Sequence, residues 1–135
     1  MDCIFCKIIS KQISAKILHE TPNSISFMDA FPLVKGHVLV IPKIHHQKIQ
    51  EMSSDENSDL FSLVHTMMSK VDSITGSTLL AIHNGEDAGQ EIPHIHVHLV
   101  PRSKSDSAGP IHSMFNSSLQ LSDVEIEKYY NMLKI

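Results

Sequence analysis

The sequence predicts an α+β protein with a mainly antiparallel sheet, on three observations. Strand-like stretches lie on both sides of one long amphipathic pattern near residues 55–74. The links between neighbouring strands are short and hairpin-like. The run Pro93–Val100 alternates imidazole with Ile95, Val97 and Leu99, and a period of two marks a strand with two unlike faces.

Taken in order, Cys3 to Ile9 carries Ile4, Phe5, Ile8 and Ile9 at the spacing of a short helix or turn with one side packed inward. Ile17–Glu20 and Ser24–Asp29 read as a hairpin divided by Thr21-Pro22-Asn23. A loop from Ala30 to Gly36 leads to the strand His37–Ile41. Pro42, which has no N–H for a ladder, ends it, and His45 and His46 follow on the exit loop.

Ser53 and Glu56 form a capping box for a helix over 55–74, with Leu60, Phe61, Val64, Met67, Met68 and Val71 on its apolar face. His65 falls between those positions as a surface residue, and the methionines read as adaptable core filler. Gly76-Ser77 ends the helix. Thr78–Asn84 is a further strand, and Gly85-Glu86-Asp87-Ala88-Gly89-Gln90 turns the chain into the alternating run. Residues 103–120 form a long loop, mobile in part. Residues 121–134 form a terminal helix capped by Ser122, with Tyr129 and Met132 set to pack on the body or across a dimer.

A chain of 135 residues suits one domain with its own core, here about residues 2–102 followed by the loop and the terminal helix. Hydrophobic residues make up 41% and charged residues 19%, as in a soluble protein, and no apolar run spans a bilayer. The net charge of -4 gives no general attraction for a nucleic acid polymer. Two cysteines, and a start without the pattern of a secretory signal, point to the cytoplasm, extending to the nucleus in a eukaryote.

On the alternating run, His94, His96 and His98 share a face and follow one another at about 6.6 Å. A half-buried strand usually carries Thr, Ser, Lys or Glu on its wet side. Imidazole there can instead act as nucleophile, proton donor and anion contact near neutral pH. A chance cluster or a structural metal face are the competing explanations, and catalysis outranks both. Cys3 and Cys6, three apart, can close on zinc, form a redox pair or stand idle.

The run His94-Ile95-His96-Val97-His98 resembles the signature of the histidine-triad hydrolases and transferases. Gly36-His37-Val38-Leu39-Val40-Ile41-Pro42-Lys43, Gly89-Gln90 and Phe27-Met28-Asp29 resemble the same family in the same order, over about residues 2–102. The resemblance implies a five-stranded sheet, and a homodimer in which two sheets run into each other. It implies that His96 attacks an α-phosphate and forms a nucleotidyl-histidine, that His98 donates to a phosphate oxygen or the bridging atom, and that His37 supports His96 from the side. His94 orients its neighbours or joins Cys3, Cys6 and His45 on a structural zinc. No cofactor is implied for the chemistry.

By the same resemblance Asp29 accepts the ribose hydroxyls, Ile4, Phe5, Ile8 and Phe27 form a slot for a purine base, and Asn84, Gly89 and Gln90 help to hold the phosphate. Among the slot residues, Ile8 alone reads equally as ordinary core. His83 stands where the family often has asparagine, an imidazole in place of an amide that donates to phosphate. Glu91 stands where the phosphoramidase branch has serine. The implied function is cleavage of purine nucleoside phosphoramidates or related nucleotidyl bonds with release of AMP or GMP. Dinucleoside polyphosphate hydrolysis and a non-catalytic nucleotide- or zinc-binding adaptor are the alternatives.

Overall fold

Five strands form one antiparallel sheet in the computed structural model, which describes residues 2–115 and 118–135. They are β1 (Ile17–Glu20), β2 (Ser24–Met28), β3 (Val38–Pro42), β4 (Thr78–Ile82) and β5 (Val97–Pro101), in the order β1-β2-β3-β5-β4. The helices are α1 (Ile4–Ile9), α2 (Ser54–Thr75) and α3 (Asp123–Leu133).

The β1–β2 turn is built by Thr21, whose hydroxyl oxygen accepts the Ser24 N–H at 3.1 Å and whose hydroxyl donates to Asp59 of α2 at 2.6 Å. The hairpin is thereby tied to the long helix. α2 begins in the expected capping box, with Ser53 Oγ accepting the Glu56 N–H and the Glu56 carboxylate accepting the Ser53 N–H. It ends at Gly76, whose left-handed φ of 88° lets its N–H bond back to the Asp72 carbonyl. Leu60, Leu63, Val64, Met67 and Val71 of α2 pack on Val38, Val40, Ile95, Val97 and Leu99. Burying Leu60 and Leu63 fully contributes roughly 1.5–3 kcal/mol each. His65 is exposed, as its position between the apolar residues predicts.

The opposite face of the sheet corrects the expectation of a wet imidazole side. α1 lies over it, and Cys3, Phe5, Ile8, Ile25, Phe27, Leu39 and Ile41 form a second core there. All five residues of β3 are therefore buried, and so are His94 and His96. The cover comes from the far N-terminus, which no local period reveals.

The final strand also starts later than the alternation suggests, at Val97 rather than Pro93. Ahead of it the His94 N–H bonds locally to the Ile92 carbonyl, and the Ile95 N–H bonds to the His46 carbonyl instead of a ladder partner. Side chains keep alternating through this stretch although the ladder has stopped. Beyond β5, Arg102 gathers the loop by donating to the Asp106 carboxylate and to the Ala108 and Gly109 carbonyls. Positions 116 and 117 of the expected 103–120 loop lie outside the described residues. The terminal helix forms with its predicted cap, Ser122 Oγ accepting the Glu125 N–H. Tyr129 and Met132 are exposed on the single chain, so they do not pack on the body. Among the described residues no helix is long and apolar enough to cross a membrane.

Candidate active site

His94 and His96 come from the segment between the 85–90 turn and β5, His98 from β5, His37 from the residue before β3, and His83 from the residue after β4. Sheet pairing brings them together: Leu39 of β3 lies opposite His98, and Ala81 of β4 lies opposite it on the other side. The His98 ring is 5.0 Å from His96, 5.2 Å from His37 and 5.7 Å from His83, centroid to centroid.

The hydrogen bonds fix which nitrogen of each ring carries its proton. His96 Nδ1 is 2.7 Å from the His94 carbonyl oxygen, an acceptor only, so Nδ1–H donates and the lone pair of this ring is on Nε2. His37 Nδ1 accepts the Leu33 N–H at 3.1 Å, which places the His37 proton on Nε2. That nitrogen lies 2.9 Å from His98 Nδ1 and donates to it. His98 in turn carries its own proton on Nε2. The row therefore presents one nucleophilic lone pair, at His96, beside one N–H donor, at His98.

Burial keeps these rings neutral. It pushes His96 and His37 below the ordinary histidine value, against the nearby Asp29 charge, which favours their cations. His98 is driven down to about 4, by burial first and then by His96, His37 and His83 around it. A neutral His96 is what a nucleophile requires.

Asp29 follows β2 and leans over the same group. Its Oδ1 accepts the Phe31 N–H at 2.8 Å and its Oδ2 is 3.5 Å from His37 Nε2. Phe5 lies edge-on to His96 at 5.1 Å and to His94 at 5.7 Å. Of the four slot residues, Phe5, Ile8 and Phe27 are buried in the second core, and Ile4 is 42% exposed. Core membership thus extends from Ile8 to Phe5 and Phe27, because α1 presses onto the sheet there.

Two further residues are engaged in other ways than the resemblance implies. Gln90 is buried, with its Nε2 donating to the Gln47 carbonyl at 2.9 Å and its Oε1 accepting the Gly85 N–H at 3.2 Å. It clamps the turn to the loop after β3. Asn84 accepts the Ile49 N–H at 2.8 Å and donates to Gln50 at 3.1 Å, a second tie to that loop. Gly89 has a φ of 105°, and its bare Cα supports the His83 ring: a Cβ there would meet His83 Cδ2 at 3.2 Å. The Leu33 N–H and the Pro42 carbonyl that hold the His37 and His94 rings, and the His46 and Gln47 carbonyls that hold the Ile95 backbone and the Gln90 amide beside them, have no signature in sequence.

Behind the row, Cys3, Cys6, His45 and His94 bring one ligand atom each within 4.8 Å of the others. His94 Nε2 donates to the Pro42 carbonyl at 2.8 Å, so its Nδ1 lone pair faces the group. That nitrogen is 3.2 Å from His45 Nδ1, 3.6 Å from Cys3 Sγ and 3.7 Å from Cys6 Sγ, and Cys6 Sγ is 3.4 Å from His45 Nδ1. Tetrahedral zinc with two sulfur and two nitrogen ligands has edges of roughly 3.3–3.8 Å. The four residues fit such an ion in spacing and donor type, and the carbonyl behind His94 is the usual partner of a ligating imidazole. Burial lowers the His94 pKa to about 4 and raises that of the Cys6 thiol.

A five-stranded antiparallel sheet carrying a row of histidines, with an acid at its side, defines an α+β protein with an imidazole-lined site. A model of the HIT domain matches residues 10–105, most of the chain. The chain belongs to the HIT, or histidine-triad, family. It is 37% identical over 106 residues to the adenosine 5'-monophosphoramidase hnt1 of Schizosaccharomyces pombe, covering 78% of each protein. It is 32% identical over 96 residues, 70% of this chain, to the asymmetrical bis(5'-nucleosyl)-tetraphosphatase of the same yeast, and spans about half (53%) of that protein. Among solved structures it resembles a zinc-bound histidine-triad protein of Mycobacterium smegmatis, at 29% identity and a TM-score of 0.73 over 79% of each chain.

Proposed function

We propose that this protein hydrolyses purine nucleoside phosphoramidates, and related nucleotidyl bonds, through a covalent nucleotidyl-His96 intermediate. The observation that carries the reading is the His96 Nδ1–H bond to the His94 carbonyl, which leaves Nε2 unprotonated beside the His98 donor. In the first step the Nε2 lone pair attacks the α-phosphorus and the bond to the leaving group breaks. His98 Nε2–H donates to a phosphoryl oxygen and stabilises the charge that builds there. Water then attacks the phosphorus, the N–P bond breaks, and a nucleoside monophosphate is released.

In this reading Asp29 accepts the 2'- and 3'-hydroxyls of the ribose and the exposed side of Ile4 forms an apolar wall for the base, a reading supported by the Asp29 carboxylate lying 3.5 Å from His37 Nε2 and by the 42% exposure of Ile4. A shape-reading wall of this kind favours purines without separating adenine from guanine. The Cys3, Cys6, His45 and His94 group would hold a structural zinc that anchors α1 over the row, and the chemistry itself runs without it. A homodimer is supported by the free edge of β4 and by the exposed apolar residues of α3.

Mass spectrometry of the acid-sensitive adduct tests the central claim. Mixing the protein with an adenosine phosphoramidate and quenching within the first turnover leaves an added AMP mass on the peptide carrying His96, and none on His96→Ala. Absence of the adduct in a protein that still binds AMP would establish the adaptor reading. Dinucleoside polyphosphate cleavage is the second reading, supported by the likeness to the tetraphosphatase, and faster turnover of a diadenosine polyphosphate than of the phosphoramidate would establish it.

A further inference from the structure

Cys3 and Cys6 bracket the two residues by which α1 reaches the imidazole row. Ile4 and Phe5 stand between them, and the Phe5 ring is 5.1 Å from His96 and 5.7 Å from His94. Both cysteines are free thiols, with their sulfurs within 4.8 Å of each other. Cys3 is the N-cap of α1, and its sulfur accepts the Cys6 N–H at 3.5 Å, so the turn that joins the pair is already formed. Cysteines three apart across a first helical turn have their Cα atoms within the roughly 4.4–6.8 Å that a disulfide accepts, and rotation of the side chains brings sulfur to sulfur.

The same sulfurs complete the group with His45 and His94, at 3.4 Å from Cys6 to His45 and 3.6 Å from Cys3 to His94. A sulfur in a disulfide has no thiolate to offer a metal, so the zinc-bound and disulfide states exclude each other. The choice between them reaches the nucleophile by two routes. The His94 ring belongs to the metal group while the His94 carbonyl accepts the His96 Nδ1–H at 2.7 Å, and Phe5 sits inside the loop that the disulfide would close. Cys6 is part-exposed and Cys3 is 5% exposed, so an oxidant meets Cys6 first.

We propose that Cys3 and Cys6 are a reversible dithiol–disulfide pair, oxidised by hydrogen peroxide, whose closure gives up the zinc and weakens the nucleotide site beside Phe5. Cys6 Sγ attacks one peroxide oxygen, the O–O bond breaks, water leaves and a sulfenic acid remains. Cys3 Sγ attacks that sulfur, the S–O bond breaks, a second water leaves and the S–S bond forms. The two sulfurs together lose two electrons and peroxide gains them. The two protons come from the thiols, or from solvent where the sulfurs start as zinc-bound thiolates. A dithiol reductant reverses the step by thiol–disulfide exchange and is itself oxidised. The disulfide and the loss of zinc follow from the four-residue group alone, whereas the effect on nucleotide rests on the reading of Ile4 and Phe5 given above.

The test treats the zinc-loaded protein with one equivalent of hydrogen peroxide. Intact mass spectrometry then shows the chain lighter by two hydrogens, peptide mapping places the bond between Cys3 and Cys6, and a chromophoric chelator detects about one zinc released per chain. AMP affinity by calorimetry falls roughly tenfold, the scale seen when the partners that orient a site are lost. Dithiothreitol with added zinc restores mass, metal and affinity. Cys3→Ser stops at the sulfenic acid, which dimedone traps on Cys6. Oxidation that runs to sulfinic acid without a disulfide, a disulfide that forms while zinc stays bound, or a disulfide that leaves AMP affinity unchanged would each overturn the proposal. Every one of these outcomes is read on the wild-type chain, so a variant that misfolds decides nothing. Reduced protein that fails to bind AMP would overturn the nucleotide reading and the coupling with it, a result distinct from tight AMP binding that peroxide leaves untouched.

Discussion

His37 Nε2 donates to His98 Nδ1 across 2.9 Å, and the Leu33 N–H on the far side of His37 leaves that proton no other place. Replacing His37 with Phe keeps a ring in the core but removes the donor, so His98 is free to turn over its tautomer. We expect kcat to fall on the order of 10- to 100-fold, as when partners that orient a working group are removed, with AMP affinity nearly unchanged. Steady-state kinetics with calorimetric binding checks this, and an unaltered kcat would mean that the tautomer is fixed without His37.

The buried rings make stability depend on acid. The folded value of His98 is about 4, below the ordinary 6.5, so as pH falls the unfolded chain takes up its proton first. Stability from this group is complete above about pH 6.5 and is lost progressively down to about pH 4. The urea midpoint should fall between pH 7.5 and 5, and the His98 ring should remain neutral by nitrogen NMR at pH 6. A His98 resonance titrating near 6.5 would contradict the locked geometry.

Gln90 separates two roles cleanly. As the clamp between Gln47 and Gly85, its replacement by Ala leaves two backbone groups short of partners and costs about 1–3 kcal/mol of stability. As a phosphate contact it would raise KM and leave stability alone. Chemical denaturation and kinetics on Gln90→Ala decide between the two, and we expect the first pattern.

The Cys3, Cys6, His45 and His94 group predicts about one zinc per chain by metal analysis. Cys6→Ser should lose most of it, and chelation should lower the wild-type melting temperature to that of the variant. A chelator without effect on a metal-free protein would show the cluster to be thiol and imidazole packing alone.

In the larger core, Leu60→Ala empties a fully buried position under β3 and β5. The expected cost is about 2–5 kcal/mol, read from denaturant unfolding, with the site chemistry unchanged in the fraction that remains folded.

The features legible in the sequence were those whose causes are local. Ser53 with Glu56, the spacing of Leu60, Val64, Met67 and Val71, and Pro42 at a strand end each act within one or two turns of chain. The identity of the histidine row was legible too, because alternation survives where the ladder does not. Hidden were consequences of distant chain segments meeting. The α1 cover buries His94 and His96, and Ile95 bonds to the loop after β3 rather than to a strand. Gln90 and Asn84 are conspicuous polar residues beside a triad, and only the loop from Gln47 to Gln50 shows that their amides serve backbone and neighbour.

The site draws its partners from far along the chain: 61 residues separate His37 from His98, 49 separate His45 from His94, and 91 separate Cys3 from His94. Each contact requires a long loop to close before it returns any stabilisation. The helix 54–75 and the 17–28 hairpin can begin to order from their own residues, whereas the imidazole row has no existence until β3 and β5 have paired. During synthesis, chemistry is therefore withheld from the nascent chain until residue 98 has emerged, and the row serves as a marker of completed folding rather than its nucleus.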